Sequence, residues 1–305
     1  MLARLAILLL TCLSCQAQPW WVRPVSSAVP GWIVEVVVTN ATAQTFEANT
    51  FTPASVTVEW GDGSTSNLTG TATAIHTYAA ASTNLMVVRG SARRLTFGSI
   101  ATRLWRLKRS MSIIEGLTLS DMQNTFQGCD ALSYIPVGLL VNQSSTITNL
   151  QATWRLCGSL TNPPAVSNLT LVSGLFQTWA SVDQCKNFPD VSALTNVTTL
   201  GQTWALTTAT NYPDISALTN VTTLANAWER CFRMTNIPPI SPSTNLVNVS
   251  AAFLGSWRLN CASVKFWDTN LFPNIDTSNI PTIDHCYLNC SNLSDWTAIP
   301  DIFRF

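Results

Sequence analysis

The sequence predicts a β-sandwich followed by a solenoid of about seven stacked turns, joined in one chain of 305 residues. Three observations carry that expectation. The nonapeptide SALTNVTTL occurs at 192–200 and again at 216–224. Trp154, Trp179, Trp204, Trp228 and Trp257 recur at intervals of 25, 25, 24 and 29, with Phe126 before them and Tyr287 after. Residues 31–98 lack this period and instead hold short β-branched runs separated by turn residues.

The chain opens with one arginine and an apolar run from Leu5 to Leu13, closed by Cys15-Gln16-Ala17. This reads as an export signal over 1–17 with cleavage after Ala17, too short to span a bilayer. A lipid-modified Cys15 is one alternative, although Cys12 stands where a lipobox wants leucine; an uncleaved, buried N-terminal segment is another. Residues 18–30 read as a linker, 31–100 as the β domain and 101–305 as the array with a C-terminal cap.

Only 10% of residues are charged and the formal net charge is zero. Solubility therefore rests on Ser, Thr and Asn, and no electrostatic drive toward nucleic acid or anionic membrane exists. Of nine cysteines, Cys129, Cys157 and Cys231 each lie three residues after an aromatic, and Cys261 lies four after Trp257. Such spacing marks a repeat position, so buried free thiols are expected, with one or two bridges between turns as the alternative.

In the β domain, WIVEVVV (32–38), ASVTVEW (54–60), LMVV (85–88) and RRLTF (93–97) predict strands, and Gly61-Asp62-Gly63 breaks the second. Asp62 invites a calcium reading, but an Asp between glycines with no acidic neighbour except Glu59 fits a hairpin turn better. His76 likewise fits a hydrogen-bonded sheet residue better than a ligand. Arg89, Arg93, Arg94, Arg103, Arg106, Lys108 and Arg109 gather at the junction. They would either dock an acidic glycan or lipid or, as the preferred reading, solvate a strand edge and the first cap of the array.

In the array an apolar residue stands four before each aromatic: Met122, Leu150, Leu175, Leu200, Leu224, Phe253 and Ile283. An i, i+4 pair meets on one helical face, which predicts a short helical segment in every unit. Pro136, Pro164, Pro189, Pro213 and Pro238 follow nine or ten residues after the aromatics, and should end the helix and begin an extended side.

TFQGCDALSYIP (125–136) and AWERCFRMTNIP (227–238) resemble the repeat unit of BspA-type leucine-rich-repeat surface proteins, over about residues 112–300. That resemblance implies a right-handed α/β solenoid used for adhesion or partner binding, with no catalytic residues. VTVEWGDGS (56–64) with IHTYA (75–79) resembles the polycystic-kidney-disease (PKD) type domain, implying an immunoglobulin-like sandwich. Trp replaces the usual Phe in the repeats, the cysteine is lost after Trp179 and Trp204, and the segment after HTYA departs from the PKD pattern.

Catalytic signatures are few: the chain has no GxSxG, HExxH or P-loop, no CxxC after the predicted export signal, and its two histidines are isolated. Asp190 and Asp214 occupy equivalent places in adjacent turns, about one strand spacing of ~5 Å apart, which would suit a polysaccharide-cleaving pair. Duplication of the two turns also explains their identity. Asn162, Asn187, Asn211 and Asn236 align as a candidate internal ladder, whereas Ser167, Ser192, Ser216 and Ser241 align as surface. The expected function is a secreted or surface-displayed, non-enzymatic adhesion protein that presents Asp190, Ser192, Asp214, Ser216 and Lys186 to a cell-surface glycan or protein. A structural or receptor-binding part of a viral or bacterial appendage, and a β-helix enzyme using Asp190 and Asp214, are the alternatives. No cofactor, metal, nucleic-acid partner or membrane span is expected.

Overall fold

The structure, a computed structural model, describes residues 32–38, 44–97, 107–112, 117–135, 140, 145–240 and 245–256. The predicted signal, the linker, Arg103, Arg106, Ser241, Trp257, Cys261, Ile283, His285 and Tyr287 lie outside the described residues. Within them the fold is β-rich, without an α-helix.

Seven strands, β1 (Trp32–Val38), β2 (Gln44–Glu59), β3 (Thr65–Thr69), β4 (Ala72–Tyr78), β5 (Ser82–Phe97), β6 (Leu107–Ser112) and β7 (Leu117–Leu119), form one sheet. Its order is β3-β2-β5-β1-β6, with β4 also on β2 and β7 also on β5. The two long strands organise it. β2 pairs with β4 over Gln44–Thr50 and with β3 over Ser55–Glu59, and its register on β5 shifts between Phe51 and Ala54. The halves of β2 on either side of that irregularity are brought together, because His76 of β4 stacks 4.8 Å from Trp60 beyond the far end of β2. The described strands make one hydrogen-bonded sheet that is not closed. Gly90 allows its central crossing: it sits at φ 110°, and a Cβ there would collide with the carbonyl oxygen of Ser55.

The repeats stack directly on this sheet. Strand β7 pairs parallel with Gly90–Ala92 of β5, and Ser120 N–H then bonds Arg93 O. The same column continues unit by unit, as Thr148, Ser173, Thr198, Thr222 and Val247 each donate N–H to the carbonyl of the member before. Parallel bridges link Asn149, Gly174, Thr199, Thr223 and Asn248 beside it. One apolar core runs without a break from β2 and β5 through Phe253.

The aromatic segments are not helical. In 150–157, alternate N–H groups point in different directions: those of Leu150, Ala152, Trp154 and Leu156 reach Gly174, Phe176, Thr178 and Ala180 of the next unit, at 2.9–3.2 Å. Those of Thr153, Arg155 and Cys157 turn back three residues to Leu150, Ala152 and Trp154. Tight turns with φ near +50 to +60° at Ala152 and Leu156, repeated at Gln177 and Ser181 and at Gln202 and Leu206, replace the predicted helical turn. The five described i, i+4 pairs, from Met122 and Phe126 to Leu224 and Trp228, are nonetheless buried, since both members point into the core.

Around the rest of each unit the buried positions come every third residue. Trp154, Cys157, Leu160, Pro163, Val166, Leu169, Val172 and Leu175 are all buried. Several of them close an i→i−3 backbone bond onto the previous one, as Cys157, Leu160, Leu169 and Val172 do. A three-residue turn puts side chains in eclipse on one side. Seven such steps and one of four residues give the 25-residue unit from Trp154 to Trp179, and one shortened step at Ala209 gives the 24 from Trp204 to Trp228. The phrases around Pro164, Pro189 and Pro213 carry no strand, which corrects their placement on the strand side. Proline has no N–H for a ladder, so the parallel bridges fall just before the aromatics instead.

Trp154, Trp179, Trp204 and Trp228 stack with centroids 5.9, 6.1 and 5.4 Å apart and planes within 12°. Beyond Trp228 the column continues through Phe253 at 5.1 Å. Phe253 thus holds the aromatic place rather than the one four residues before it. At the other end Phe97 of β5 lies against Phe126 at 5.9 Å, so the sheet supplies the first member of the stack.

Replacing Trp204 with Ala is expected to cost ~3–5 kcal/mol by emptying a fully buried aromatic site. Denaturant melts should become multi-phase, because units in such a stack hold only their neighbours. Cys129, Cys157, Cys185 and Cys231 are free and buried, and burial pushes the thiols of Cys129 and Cys185 up to about 12. These four should resist a thiol reagent in native protein near pH 8, and all four should titrate in denatured, unreduced protein.

Candidate functional site

Two groups of polar residues stand out, one in the sheet and one along the repeats. The first is built on the β2–β3 hairpin. Gly61 and Gly63 take φ of 87° and 96°, and a Cβ on Gly61 would lie 2.6 Å from Leu85 O, so the turn passes where only glycine fits. Asp62 between them accepts from Ser64 N–H at 3.0 Å and from Ser64 Oγ at 2.6 Å. His76 on β4 sets Nε2 2.8 Å from the other Asp62 oxygen, and its ring lies flat on Trp60 and edge-on to Tyr78. Tyr78 in turn donates its hydroxyl to Trp60 O at 2.6 Å. The WGDGS and HTY elements thus form one clasp that ties β4 to the hairpin. Asp62 serves the turn and the histidine.

Serine, histidine and aspartate are all present here, yet the connections differ from those of a nucleophilic triad. Ser64 Oγ gives its proton to Asp62, and His76 Nδ1 stands 3.4 Å from that oxygen. A general base needs to receive the serine proton itself. Burial works to raise the Asp62 carboxyl, but the hydrogen bonds from Ser64 and the charge and hydrogen bond of His76 outweigh it and leave the group below its ordinary value. Burial raises the Tyr78 phenol far above its ordinary range.

The basic cluster at the junction is partly consumed by internal contacts. Arg89 pairs with Glu59 across β2 and β5. Arg94 lies over the Phe51 ring at 4.2 Å, donates to Gln123 at 2.6 Å and faces Asp121 at 3.7 Å, so it fastens β5 to the first unit.

Along the repeats, Asp190 and Asp214 are exposed, and each accepts the N–H two residues on, from Ser192 at 2.9 Å and Ser216 at 2.7 Å. Ser192 Oγ also donates to Asp190. The two serines are half-buried and Lys186 is exposed. The structure places these residues at the same turn of successive units, with each carboxylate holding its own backbone. Asp183 is a different case: burial first, and then the charge of Asp130, push its carboxyl up. Among the described residues no three His, Cys, Asp or Glu side chains gather to hold a metal ion.

Asn162, Asn187, Asn211 and Asn236 are exposed rather than internal, and the amides of Asn162 and Asn236 donate to the neighbouring threonine hydroxyl. The ladder lies elsewhere. Asn196, Asn220 and Asn245 donate their amides to Thr170 O, Thr195 O and Thr219 O of the unit before, at 2.8, 2.8 and 2.9 Å. Beside them the hydroxyls of Thr148, Ser173, Thr198 and Thr222 donate to the preceding unit's carbonyls, at 3.0–3.4 Å. All seven side chains are exposed.

No family model, curated protein or solved structure matches this chain. Its site is therefore argued from its own geometry. The asparagine and threonine columns were present in the duplicated SALTNVTTL, but only the unit-to-unit register reveals that Thr195, Asn196 and Thr198 face outward around the buried Val197, as do Thr219, Asn220 and Thr222 around Val221. Among the described residues no helix is long and apolar enough to cross a membrane.

Because the folded Asp62 carboxyl is more acidic than an unfolded one, near 3.9, its contribution to stability is present above that range and lost as pH falls through its folded value. Asp62→Ala should destabilise the sheet domain near neutral pH, and the gap from the native protein should close as urea melts are moved below about pH 4. A gap that stays constant down to acid pH would show that the carboxylate contributes nothing through its charge.

Proposed function

We propose that the protein is an exported, non-enzymatic binding protein whose PKD-like β-sandwich carries a leucine-rich-repeat-type solenoid with a polar face turned to a glycan or protein on a cell surface. The observation that carries this reading is the in-register outward column of Thr148, Ser173, Thr198 and Thr222, repeated once per unit on a stiff, continuous core. A rigid row of equivalent groups suits multivalent attachment, in which many weak contacts add through proximity. The sheet supports the reading as a base for the stack, since Phe97 and the β5 edge cover its first unit. The non-enzymatic part is supported by Asp190 and Asp214, whose oxygens hold their own turns.

Binding of the protein from residue 18 onward to intact bacterial and eukaryotic cells tests the proposal. Saturable retention on a cell surface is the expected result. Lack of binding to any surface, together with polysaccharide cleavage that Asp190→Asn and Asp214→Asn abolish, would replace it with the enzyme reading.

A further inference from the structure

The exposed strip of the repeats has a hydrogen-bonding character that its composition alone does not convey. Thr and Ser hydroxyls have one donor and two acceptor lone pairs. In Thr148, Ser173, Thr198 and Thr222 that donor points inward to a backbone carbonyl, so solvent meets acceptor lone pairs and, on the threonines, a methyl group. Asn196, Asn220 and Asn245, all exposed, each commit one amide proton to the unit before, which leaves the acceptor Oδ1 and a single remaining N–H. Thr170, Thr195 and Thr219, whose carbonyls receive those amides, are exposed alongside. None of these ten residues is charged. Leu171 and Val247, the exposed apolar members of the same columns, stand at opposite ends of the strip.

The strip is therefore biased toward accepting hydrogen bonds, is neutral, and repeats about every 4.8 Å, the spacing of neighbouring strands. Its side chains are also held before any ligand arrives: threonine is stiff at χ1, and each group is tied to backbone. Preorganisation of this kind lowers the ordering cost of binding. A complementary ligand presents hydroxyl donors at similar intervals and carries no charge. We propose that this strip binds a linear neutral polysaccharide lying along the stacking direction, one sugar residue to each unit, with Thr198, Thr222, Asn196 and Asn220 at its centre. The proposal rests on the adhesion reading and names its ligand class and its face. An anionic glycan would meet a wall of acceptors with no cation among these columns, which disfavours it.

The test is calorimetric titration of the protein with neutral cello-, chito- and laminari-oligosaccharides of increasing length, and with polyglutamate and polylysine as charged controls. Affinity for at least one neutral series should rise with chain length and level off at about the four units of the threonine column. Thr198→Val with Thr222→Val keeps shape and removes the acceptors, and should weaken binding at least tenfold. Thr198→Ser with Thr222→Ser retains the hydroxyls and should bind within about threefold of the native protein, and circular dichroism of both variants monitors folding. Gln184→Ala, outside these columns, should change nothing. Absence of binding to every neutral series, equal binding by the valine variant, or preference for a charged polymer would overturn the proposal. If the protein still attaches to cells in that event, the adhesion reading stands and only the neutral glycan falls; if it attaches to none, both fall.

Discussion

The alternating direction of backbone N–H groups through the aromatic segments is the constraint on which the repeat region depends. Buried amides must be paired, and a compact unit offers two kinds of partner, its own turn and the unit stacked on it. Leu150, Ala152, Trp154 and Leu156 use the second, and the residues between them use the first. The same division recurs from Leu175, Leu200 and Leu224. Every unit thereby satisfies half of its neighbour, and none satisfies itself alone. The cost is backbone in the left-handed region at residues such as Ala152, Gln177, Gln202 and Asn226, roughly 1 kcal/mol or more at each non-glycine position. Two rows of interunit bonds and a stacked indole per unit offset it.

Side chains in the core repeat the backbone's division of labour. Thr153, Thr178 and Thr203 are fully buried, and each hydroxyl reaches a carbonyl one unit back, on Met122, Leu150 and Leu175. Cys157 and Cys231 send their thiols to Phe126 O and Trp204 O, while at the equivalent places Thr207 bonds Trp204 O within its own unit and Ser256 bonds Trp228 O one unit back. Small side chains fill this column, Cys, Thr and Ser with a donor and Val182 without one, and the described residues form no disulfide. The cysteines are packing residues that also cap carbonyls.

The sheet domain and the repeats are mechanically joined. β5 runs through the centre of the sheet and then offers its free edge to β7, while Phe97 begins the aromatic column and Arg94 reaches into the first unit. A stack of this kind exposes apolar surface at its end unless something covers it. Here the covering element is the preceding domain, so the outward strip begins at a fixed distance and angle from the sheet. Rigid placement is what a multivalent surface needs.

By itself the sequence determined the period, the burial of the described repeat tryptophans and cysteines, and the use of Asp62 and His76 inside a turn-centred network. Each of those follows from local facts: a duplication, a recurrent spacing of large side chains, glycines around an aspartate. Tertiary structure alone decided what those spacings mean. The i, i+4 pairs at Leu150 and Trp154 suit a helix equally well, and the residues of the repeats that take positive φ are Ala, Gln, Leu, Asn, Ser and Arg, with few glycines to announce them. The three-residue rhythm from Trp154 to Leu175 fits neither a helix nor a strand, and becomes legible once each step is seen to close a turn. Likewise, Asn196, Asn220 and Asn245 sit in polar phrases much like those of Asn162, Asn187, Asn211 and Asn236, and nothing in those phrases announces that they donate to carbonyls of the unit before, as Asn168 does to Leu140 O. Which of a set of equivalent polar residues turns inward depends on the register between units, and register is a property of two segments meeting in space that no single segment encodes.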